Sequence, residues 1–370
     1  MIPLANPKKQ VESQKADLLE AISKVFDNCQ FIVGDNVKEA EDQYAAKCGA
    51  RFGIGVNSGT DALVLALAAC GVGKDDEVIT VPYTFVATTE AILIRGARPV
   101  FVDIEPDTFN IDVSSIEAKI TPRTRAILPV YLYGQTCDTE AISDIAKRHG
   151  LKVIADAAQA IGAKRNGVPI GKLADATCIS FFPTKNLGAC GDAGMIITDD
   201  PDTAETARTL RFHGMKPGTY YYERVGYNSR LDEIQAAVLN VKLPRLDEWN
   251  EKRRANAGFY LDAFRDTCLK LPVSMPGNYH IYHQFTIRYA KRDRLREMLA
   301  ERGIGSAVYY PFPLHLQPCY SFLNYREGDL PVTEATCKEV LSLPVYPELT
   351  DEERNTVASG VMECLNILEN

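Results

Sequence analysis

Two short segments of the chain carry side chains that could do chemistry together. In the first, Val153-Ile-Ala-Asp156-Ala-Ala-Gln159, an apolar run typical of a strand ends in a carboxylate, and an amide follows one helical turn later. The second, Ser180-Phe-Phe-Pro-Thr-Lys185-Asn-Leu-Gly-Ala-Cys-Gly-Asp-Ala-Gly194, holds a lysine among small residues that allow the backbone to pack closely around a ligand. An amine, a carboxylate and a hydroxyl are therefore candidates for one site.

These side chains match the needs of pyridoxal 5'-phosphate (PLP). The amine of Lys185 would form a Schiff base, and the carboxylate of Asp156 would pair with the protonated pyridine nitrogen, so that the ring accepts the electrons of a carbanion. Ser180 would help to hold the phosphate, and Gln159 would contact the ring. Taken singly, a loop lysine is usually only solvated and an aspartate that ends a strand is usually a cap. The interpretation depends on their occurring together.

A third segment, Gly55-Val-Asn-Ser-Gly-Thr-Asp-Ala-Leu63, predicts a strand, a tight turn and the start of a helix. The N–H groups of Gly59 and Thr60 would face an anion at the helix N-terminus, and the Thr60 hydroxyl would add a donor. The alternative is a plain helix cap formed by Ser58 or Thr60. A dinucleotide-binding fingerprint is a weaker interpretation of this segment, since Gly53-Ile-Gly55 begins that motif but the third glycine comes one residue late.

Aromatic and cationic side chains in three other segments suit a planar or an anionic ligand. Phe85 follows a predicted strand, where its ring could stack on a cofactor, although a place in the core explains it equally well. The segments 220–232 and 308–315 mix tyrosines with Asn, Arg and His, which is typical of interfaces and of sugar or anion sites. A single histidine such as His315 is more often structural than catalytic.

Composition and charge restrict the class of protein. The 370 residues are 46% hydrophobic and 24% charged, which predicts a globular protein with room for two domains. With 41 Lys+Arg against 49 Asp+Glu the net charge is -8, which argues against a nucleic-acid partner. We find neither an apolar run of about 18 residues nor an export signal. The ten scattered cysteines form no metal motif, so we expect free thiols, no metal, no membrane association and a cytoplasmic location.

Strand-like runs alternate with helical patterns over about the first 250 residues, which predicts an α/β domain with a largely parallel sheet. Ligands of such sheets bind at the carboxyl ends of the strands, where Asp156 and Ser180 are expected. The predicted strands are Glu77–Val81, Pro99–Asp103, Ala126–Leu132, Lys152–Ala155, Ala176–Phe181 and Gly194–Thr198, and the predicted helices include Thr88–Arg95 and Thr139–His149.

The predicted helices and strands also divide the chain into two domains. A helix predicted over Leu231–Trp249, with a break at Pro244, would lead out of a large domain of residues 1–249. Residues 250–370 would form a smaller α+β domain. A helical pattern from Gln10 to Phe26 is expected to pack on that small domain.

Taken in order, the motifs resemble the DegT/StrS family of PLP-dependent nucleotide-sugar aminotransferases, which have the aspartate-aminotransferase fold (fold type I). The resemblance implies a large domain with a mainly parallel central sheet and a smaller C-terminal α+β domain. It is carried by Gln30-Phe-Ile-Val-Gly, Asn57-Ser-Gly-Thr-Asp-Ala-Leu, Pro122-Arg-Thr-Arg-Ala-Ile, Tyr133-Gly-Gln, Asp156-Ala-Ala-Gln, Gly226-Tyr-Asn-Ser-Arg-Leu-Asp and Ser342-Leu-Pro.

The resemblance implies a role for each matching residue. Lys185 and Asp156 would be catalytic, the lysine as the internal aldimine and then as the base that moves the proton. Asn228 would reach the phosphate in the neighbouring subunit's site, so a homodimer with shared active sites is implied. The other expected cofactor contacts are Gly59, Thr60, Phe85, Gln159 and Ser180, and the expected contacts to the sugar nucleotide are Arg230, Tyr309 and His315.

The implied reaction moves an amino group from L-glutamate to a nucleotide-linked keto-hexose by a ping-pong mechanism through pyridoxamine phosphate. The motif Phe-Pro-Thr-Lys185, rather than His-Pro-x-Lys, favours amination at C3 over C4. A dehydratase or other lyase of the same fold stays open, although some related dehydratases carry His where this chain has Lys185. A non-catalytic PLP-binding regulator and, more distantly, a dinucleotide-dependent dehydrogenase are further alternatives.

Overall fold

The computed structural model describes residues 1–216 and 218–369. The strands are β1 (Phe52–Val56), β2 (Glu77–Thr80), β3 (Arg98–Phe101), β4 (Thr124–Ile127), β5 (Lys152–Asp156), β6 (Lys164–Arg165), β7 (Val168–Pro169), β8 (Ala176–Ser180), β9 (Gly194–Thr198), β10 (Asn278–Tyr279), β11 (Phe285–Arg288) and β12 (Val340–Leu343). The α-helices are α1 (Pro7–Glu12), α2 (Lys15–Asn28), α3 (Asp35–Lys47), α4 (Gly59–Ala69), α5 (Ala87–Ile94), α6 (Thr139–His149), α7 (Pro201–Arg211), α8 (Glu233–Lys242), α9 (Leu246–Ala263), α10 (Arg292–Glu301), α11 (Pro331–Glu339) and α12 (Asp351–Glu369).

A central sheet organises the larger part of the molecule. Among the described residues it has seven strands in the order β1-β9-β8-β5-β4-β2-β3. Strands β3, β2, β4, β5 and β8 are parallel, whereas β9 is antiparallel to β8 and to β1. The sheet is therefore mainly parallel, as predicted, and the carboxyl ends of β1, β2, β5 and β8 lie at one edge.

Helices cover both faces of this sheet. One apolar cluster joins it to α3, α6 and α8, and a second joins it to α4, α5 and α7. Successive residues of a strand enter opposite clusters, as Val78 and Ile79 do. Burial on both faces explains why the strands read as continuous apolar runs in the sequence rather than as alternating ones.

Strand β4 differs most from its predicted bounds. It ends at Ile127, whereas the apolar pattern extends to Leu132, because Pro129 has no N–H to donate to a neighbouring strand. The chain still follows β5 for a few residues, since the N–H of Asp156 donates to the carbonyl of Pro129 over 2.9 Å. This keeps Val130 beside the end of β5, at the edge where the cavity lies.

The helix predicted over Leu231–Trp249 breaks where the proline falls. Helix α8 ends at Lys242, one turn of 3-10 helix spans Leu243–Arg245, and α9 continues to Ala263. Pro244 cannot donate the hydrogen bond that an uninterrupted helix would need. Helix α9 then extends from the core under the sheet, at Trp249, into a separate C-terminal core, at Tyr260.

The N-terminal helical pattern is two helices rather than one. Helices α1 and α2 are separated at Ser13 and Gln14. Helix α2 packs against α8 of the large domain, whereas the expectation was contact with the small domain. Contact with the small domain comes from residues that precede α2, since Ile2 forms a bridge with Ile304 and Lys9 pairs with Glu353 at 2.8 Å.

The C-terminal region has its own apolar core, built from α9, β11, α10, β12 and α12. This separate core supports a domain boundary near residue 249, which we keep as a proposal. The segment before β12 returns to the large domain, because Asp103 accepts hydrogen bonds from the N–H groups of Val332 and Thr333 at 2.9 Å each. Residues that follow β10 and residues near 310 also contact the large domain, since the N–H of Ile281 donates to the carbonyl of Gly134 over 2.9 Å and the hydroxyl of Tyr83 donates to the carbonyl of Tyr309 over 2.6 Å.

Within the described ranges, no helix combines the length and apolar character required to cross a bilayer. The same residues contain no group of three or more His, Cys, Asp or Glu side chains arranged to hold a metal ion.

Candidate active site

A cavity of about 710 Å³ opens at the carboxyl edge of the sheet. Its floor and one wall come from the turns after β1, β2, β5 and β8, and the opposite wall comes from the C-terminal region, at 283–284 and 308–311. The residues predicted from sequence that line it are Gly59, Thr60, Phe85, Asp156, Gln159, Ser180, Lys185 and Tyr309. Four turns that are far apart in the chain therefore contribute to one site.

Asp156 is the last residue of β5 and is 6% exposed. One carboxylate oxygen, Oδ2, accepts the hydroxyl of Thr88 over 2.7 Å, and Oδ1 accepts the N–H of Ala158 over 3.1 Å. Burial raises the pKa of Asp156, while these two hydrogen bonds and the charge of Lys185 oppose that rise. A carboxylate held this way is suited to bind a cationic N–H group that comes from the cavity.

Lys185 lies in the turn between β8 and β9. Its N–H donates to the carbonyl of Phe182 over 2.8 Å, and Gly188 lets the turn fold back, because a Cβ there would lie 2.5 Å from the carbonyl oxygen of Pro183. Burial lowers the pKa of Lys185 to about 8, against a smaller raising effect of Asp156. The amine is thus much more available as a nucleophile near neutral pH than that of an exposed lysine.

Helix α4 begins at Gly59 and directs its N-terminus toward the cavity. Ser58 caps it, because its Oγ accepts the N–H of Asp61 over 3.1 Å, so the capping interpretation of this segment is correct. That cap does not engage the N–H groups of Gly59 and Thr60, which have no partner inside a helix. Ser180 packs on Gly59 so closely that a Cβ at Gly59 would lie 2.6 Å from the Ser180 Cβ. The result is a cradle for an anion.

Gln159 is held in one orientation in the wall of the cavity. Its Oε1 accepts the N–H of Tyr133 over 2.7 Å, and its Nε2 donates to the hydroxyl of Tyr310 over 3.4 Å. The carbonyl of Tyr309 accepts the hydroxyls of Tyr83, over 2.6 Å, and of Tyr133. These contacts fix the C-terminal wall of the cavity to the large domain.

Phe85 leaves most of its ring uncovered. The side chain is 57% exposed, although it lies on the cavity, and its ring centroid is 6.3 Å from that of Tyr310. A core phenylalanine would be buried, so the exposure favours the alternative in which the ring stacks on a planar ligand.

Three of the residues proposed from sequence lie outside this cavity. The imidazole of His315 is buried against Glu334, with Nε2 and Oε1 3.1 Å apart, which favours a structural role. The Arg230 guanidinium lies 4.9 Å from the ring centroid of Phe212. Asn228 is exposed and does not line the cavity of its own chain, so a contact with a second subunit stays a prediction.

Sequence reasoning missed Thr88, His283 and Tyr310. Thr88 begins a predicted helix, but nothing in the sequence indicates a hydrogen bond to a carboxylate on a different strand. His283 lines the cavity, and burial, followed by the charge of Lys185, lowers its pKa well below the usual range. The signal that could have found it is the pair of histidines in His280-Ile-Tyr-His283, which comes just before β11.

A mainly parallel α/β sheet with a lysine, a buried carboxylate and a helix N-terminus at its carboxyl edge defines a PLP-enzyme type of site. The DegT/DnrJ/EryC1/StrS aminotransferase family matches residues 12–362. The chain belongs to this family. It is a PLP-dependent sugar aminotransferase of fold type I.

Individual relatives match over nearly the whole chain. A protein of Geobacillus stearothermophilus named pleiotropic regulatory protein is 52% identical, over 98% of both chains. A UDP-N-acetyl-3-dehydro-alpha-D-glucosamine 3-aminotransferase of Acidithiobacillus ferrooxidans is 43% identical, over 99% of this chain and 98% of that one. The crystal structure of S. venezuelae DesV in complex with a ketimine intermediate has a TM-score of 0.96 at 42% identity, over 98% of both chains.

The cofactor is PLP, with pyridoxamine phosphate as the form that carries the amino group, and both forms occur in solved structures of similar proteins. The cavity fits this group. Asp156 offers a buried acceptor for the pyridine N–H, and the space between Ser180 and the α4 N-terminus is one that a single Cβ on Gly59 would obstruct. The residues that would hold the cofactor are Gly59, Thr60, Phe85, Asp156, Gln159, Ser180 and Lys185.

Proposed function

We propose that the protein transfers the amino group of L-glutamate to C3 of a nucleotide-linked keto-hexose by a ping-pong mechanism. The observation that carries this proposal is the pairing of a lysine whose pKa is lowered to about 8 with a buried carboxylate in one cavity. A transaminase needs both groups, since the lysine must exchange its bond to the cofactor and the carboxylate must keep the cofactor ring electron-poor.

The chain's own residues divide the work. PLP, when bound, supplies an electron-accepting ring and stores the amino group between the two half-reactions. Lys185 would hold it covalently, and the free amine of Lys185 would take the proton from Cα of the amino donor. Asp156 holds a proton on the pyridine nitrogen by its negative charge. Gly59, Thr60 and Ser180 hold the phosphate through N–H and hydroxyl donors.

Two observations support C3 as the position that receives the amine. The relative from Acidithiobacillus ferrooxidans is named for transfer at C3 of a UDP-linked sugar. The segment Phe182-Pro-Thr-Lys185 has the form that favoured C3 from sequence. The nucleotide-linked sugar would contact Tyr309, which lines the cavity.

A homodimer in the cytoplasm with shared active sites belongs to the same proposal. The segment that precedes Asn228 carries large apolar side chains in solvent, among them Tyr220 at 90% and Val225 at 95% exposure. A second copy of the chain would cover them. Asn228 and Arg230 would then lie beside the phosphate and the sugar nucleotide of the partner's site, which accounts for their position away from their own cavity.

The half-reaction with the amino donor tests the proposal without knowledge of the sugar. We expect the purified protein to absorb near about 420 nm and, after addition of L-glutamate, to shift toward about 330 nm as the amino group moves to the cofactor. A panel of other amino acids measured in parallel identifies the donor. A bound chromophore that responds to no donor would contradict amine transfer and favour the lyase alternative.

The same assay with two variants ties the reaction to the cavity. Lys185→Ala should lower turnover by roughly three orders of magnitude or more, because the covalent link and the proton carrier are lost together. Lys119→Ala, which removes an exposed lysine on the surface, is the matched control and should behave as the wild type. Turnover by Lys185→Ala above a trace level would overturn the mechanism.

A further inference from the structure

A chain of hydrogen bonds runs from the backbone of the large domain to a histidine in the wall of the cavity. Asn250 on α9 donates from Nδ2 to the carbonyl of Ile161 over 3.2 Å. The Asn250 Oδ1 accepts Nδ2 of Asn186 over 2.7 Å, and the Asn186 Oδ1 lies 3.0 Å from Nδ1 of His283. Asn186 is the neighbour of Lys185 in the sequence, so this chain connects the reactive lysine's turn to the histidine.

The direction of every bond in this chain follows from its first member. The carbonyl of Ile161 can only accept, so the Asn250 atom beside it is the NH₂ group and the other atom is the oxygen. That oxygen in turn needs a donor, which makes the facing Asn186 atom its NH₂ group. The carbonyl of Ile281 accepts from the same Asn186 nitrogen at 3.4 Å, in independent agreement. The remaining Asn186 oxygen therefore requires a proton on Nδ1 of His283.

The other ring nitrogen of His283 is then left as an acceptor. Burial, the charge of Lys185 and the charge of Arg253 all lower the pKa of this imidazole, so the ring is neutral. A neutral ring with its proton on Nδ1 has a lone pair on Nε2. His283 and Lys185 line the same cavity. The other ionisable groups that act on this pair or line the cavities beside Lys185 are Asp156, Asp192, Arg253, Tyr309, Tyr310, Tyr346 and Glu348.

We propose that His283 is a positioning residue for Lys185: Asn186 holds its ring as the Nδ1–H tautomer, which leaves Nε2 as the acceptor that the free lysine amine can reach across the cavity. The inference rests on the proposed role of Lys185 as the residue that binds the cofactor. The amine must return to the same place after each half-reaction, and a fixed acceptor in the opposite wall gives it one orientation. The same contact favours the ammonium form, against the effect of burial.

Two substitutions at His283 separate the two ends of the ring. Asn places an amide near the position of Nδ1, so H283N keeps a donor for Asn186 and removes the acceptor that faces the cavity. Gln places its amide near Nε2, so H283Q keeps an acceptor for Lys185. The readout is the pH dependence of chemical modification of Lys185 in the full chain freed of cofactor, followed by mass spectrometry. It requires neither turnover nor substrate.

We expect the titration midpoint of Lys185 to fall by roughly one pH unit in H283N, because the ammonium loses an acceptor, and to stay within a few tenths of a unit of the wild type in H283Q. Equal midpoints in H283N and the wild type would overturn the proposal, as would an equal fall in both variants. Since the amino-donor assay is separate, failure here leaves amine transfer by Lys185 unaffected.

A spectroscopic measurement on the unchanged protein keeps the proposal falsifiable if a variant does not fold. Nitrogen-15 NMR of histidine-labelled wild type loaded with pyridoxamine phosphate distinguishes the two neutral tautomers from the imidazolium. We expect His283 to be neutral at pH 7 with its proton on Nδ1. A proton on Nε2, or a charged ring, would contradict the proposal.

Discussion

Lys185 occupies a setting in which its own charge is costly. Burial lowers its pKa from 10.5 to about 8, and the nearby Asp156 compensates only in part. The cofactor-free protein therefore keeps a reactive amine ready for the covalent bond, at the expense of folding stability below that pKa.

This cost predicts how the stability of the cofactor-free protein changes with pH. Between pH 8 and 10.5 an unfolded chain binds the proton that folded Lys185 has released, so raising the pH through this window favours the folded state. Relative to Lys185→Met, the wild type should gain on the order of 2 kcal/mol over that range, since partial exposure reduces the full value. Urea unfolding at several pH values measures this, and parallel curves for the two proteins would refute it.

We expect Thr88 to set the acid limit of activity through Asp156. Its hydroxyl donates to the carboxylate over 2.7 Å and thereby opposes the effect of burial, which raises the pKa of Asp156. In Thr88→Val the pKa of Asp156 rises further, so its carboxylate takes up a proton at a higher pH than in the wild type. The acid limb of kcat/KM should move upward by about half to one pH unit.

The control for this prediction is Thr84→Val. Thr84 contacts the Thr88 hydroxyl over 2.9 Å but not Asp156 itself, so its removal should move the acid limb much less. If the acid limb of kcat/KM were the same in Thr88→Val and the wild type, Asp156 would not be the group whose protonation lowers activity.

At this scale the sequence is informative about residues that belong to motifs. Lys185 and Asp156 were predicted because each lies in a run whose small or apolar neighbours indicate its position. Thr88 and His283 act through partners on other elements, and such contacts depend on how the elements pack. The exposure of Phe85 and the burial of His315 are likewise results of tertiary structure, which spacing alone does not determine.

Among the elements, α4 and β8 form the anion cradle by close approach. The absence of a side chain at Gly59 lets Ser180 lie against the first turn of the helix. Gly59→Ala should weaken cofactor binding at least about tenfold, because either the serine or the helix start must move. Titration of the cofactor-free proteins with PLP, followed by absorbance, gives the PLP dissociation constants of Gly59→Ala and of the wild type.

Gly73→Ala is the matched control for the cradle. It adds the same methyl group where nothing lies within 4 Å, so PLP affinity should not change. If Gly59→Ala bound PLP as tightly as Gly73→Ala, the phosphate would have to lie elsewhere.

The strands and helices of the large domain were largely predictable. The bounds of α6 and β9 agree with the predicted ones, and the break near Pro244 follows from the chemistry of proline. The bounds of the N-terminal helices were less predictable, since the sequence has neither Gly nor Pro where α1 and α2 separate. An amphipathic pattern indicates that a helix packs, but the surface that receives it, here α8, depends on the whole fold.

For the whole molecule, the proposed dimer makes a prediction that one chain cannot satisfy. If Asn228 serves the partner's site, Lys185→Ala and Asn228→Ala are each defective in a different half of one site. A mixed dimer then has one site with both defects and one with neither. Co-expression of the two variants should restore about a quarter of the wild-type activity, the share expected from random pairing. Activity no greater than the sum of the separate variants would place Asn228 outside the partner's site.

The identity of the reaction is also a property of the whole molecule, since the cavity must admit a nucleotide-linked sugar as well as the amino donor. The most direct measurement is to supply nitrogen-15-labelled L-glutamate with a nucleotide-linked 3-keto-hexose and, in parallel, with the 4-keto isomer, and to locate the label by NMR. The account predicts that nitrogen-15 appears on C3 of the sugar, with one 2-oxoglutarate formed for each amine transferred. Label on C4, or loss of a hydroxyl without incorporation of label, would contradict it.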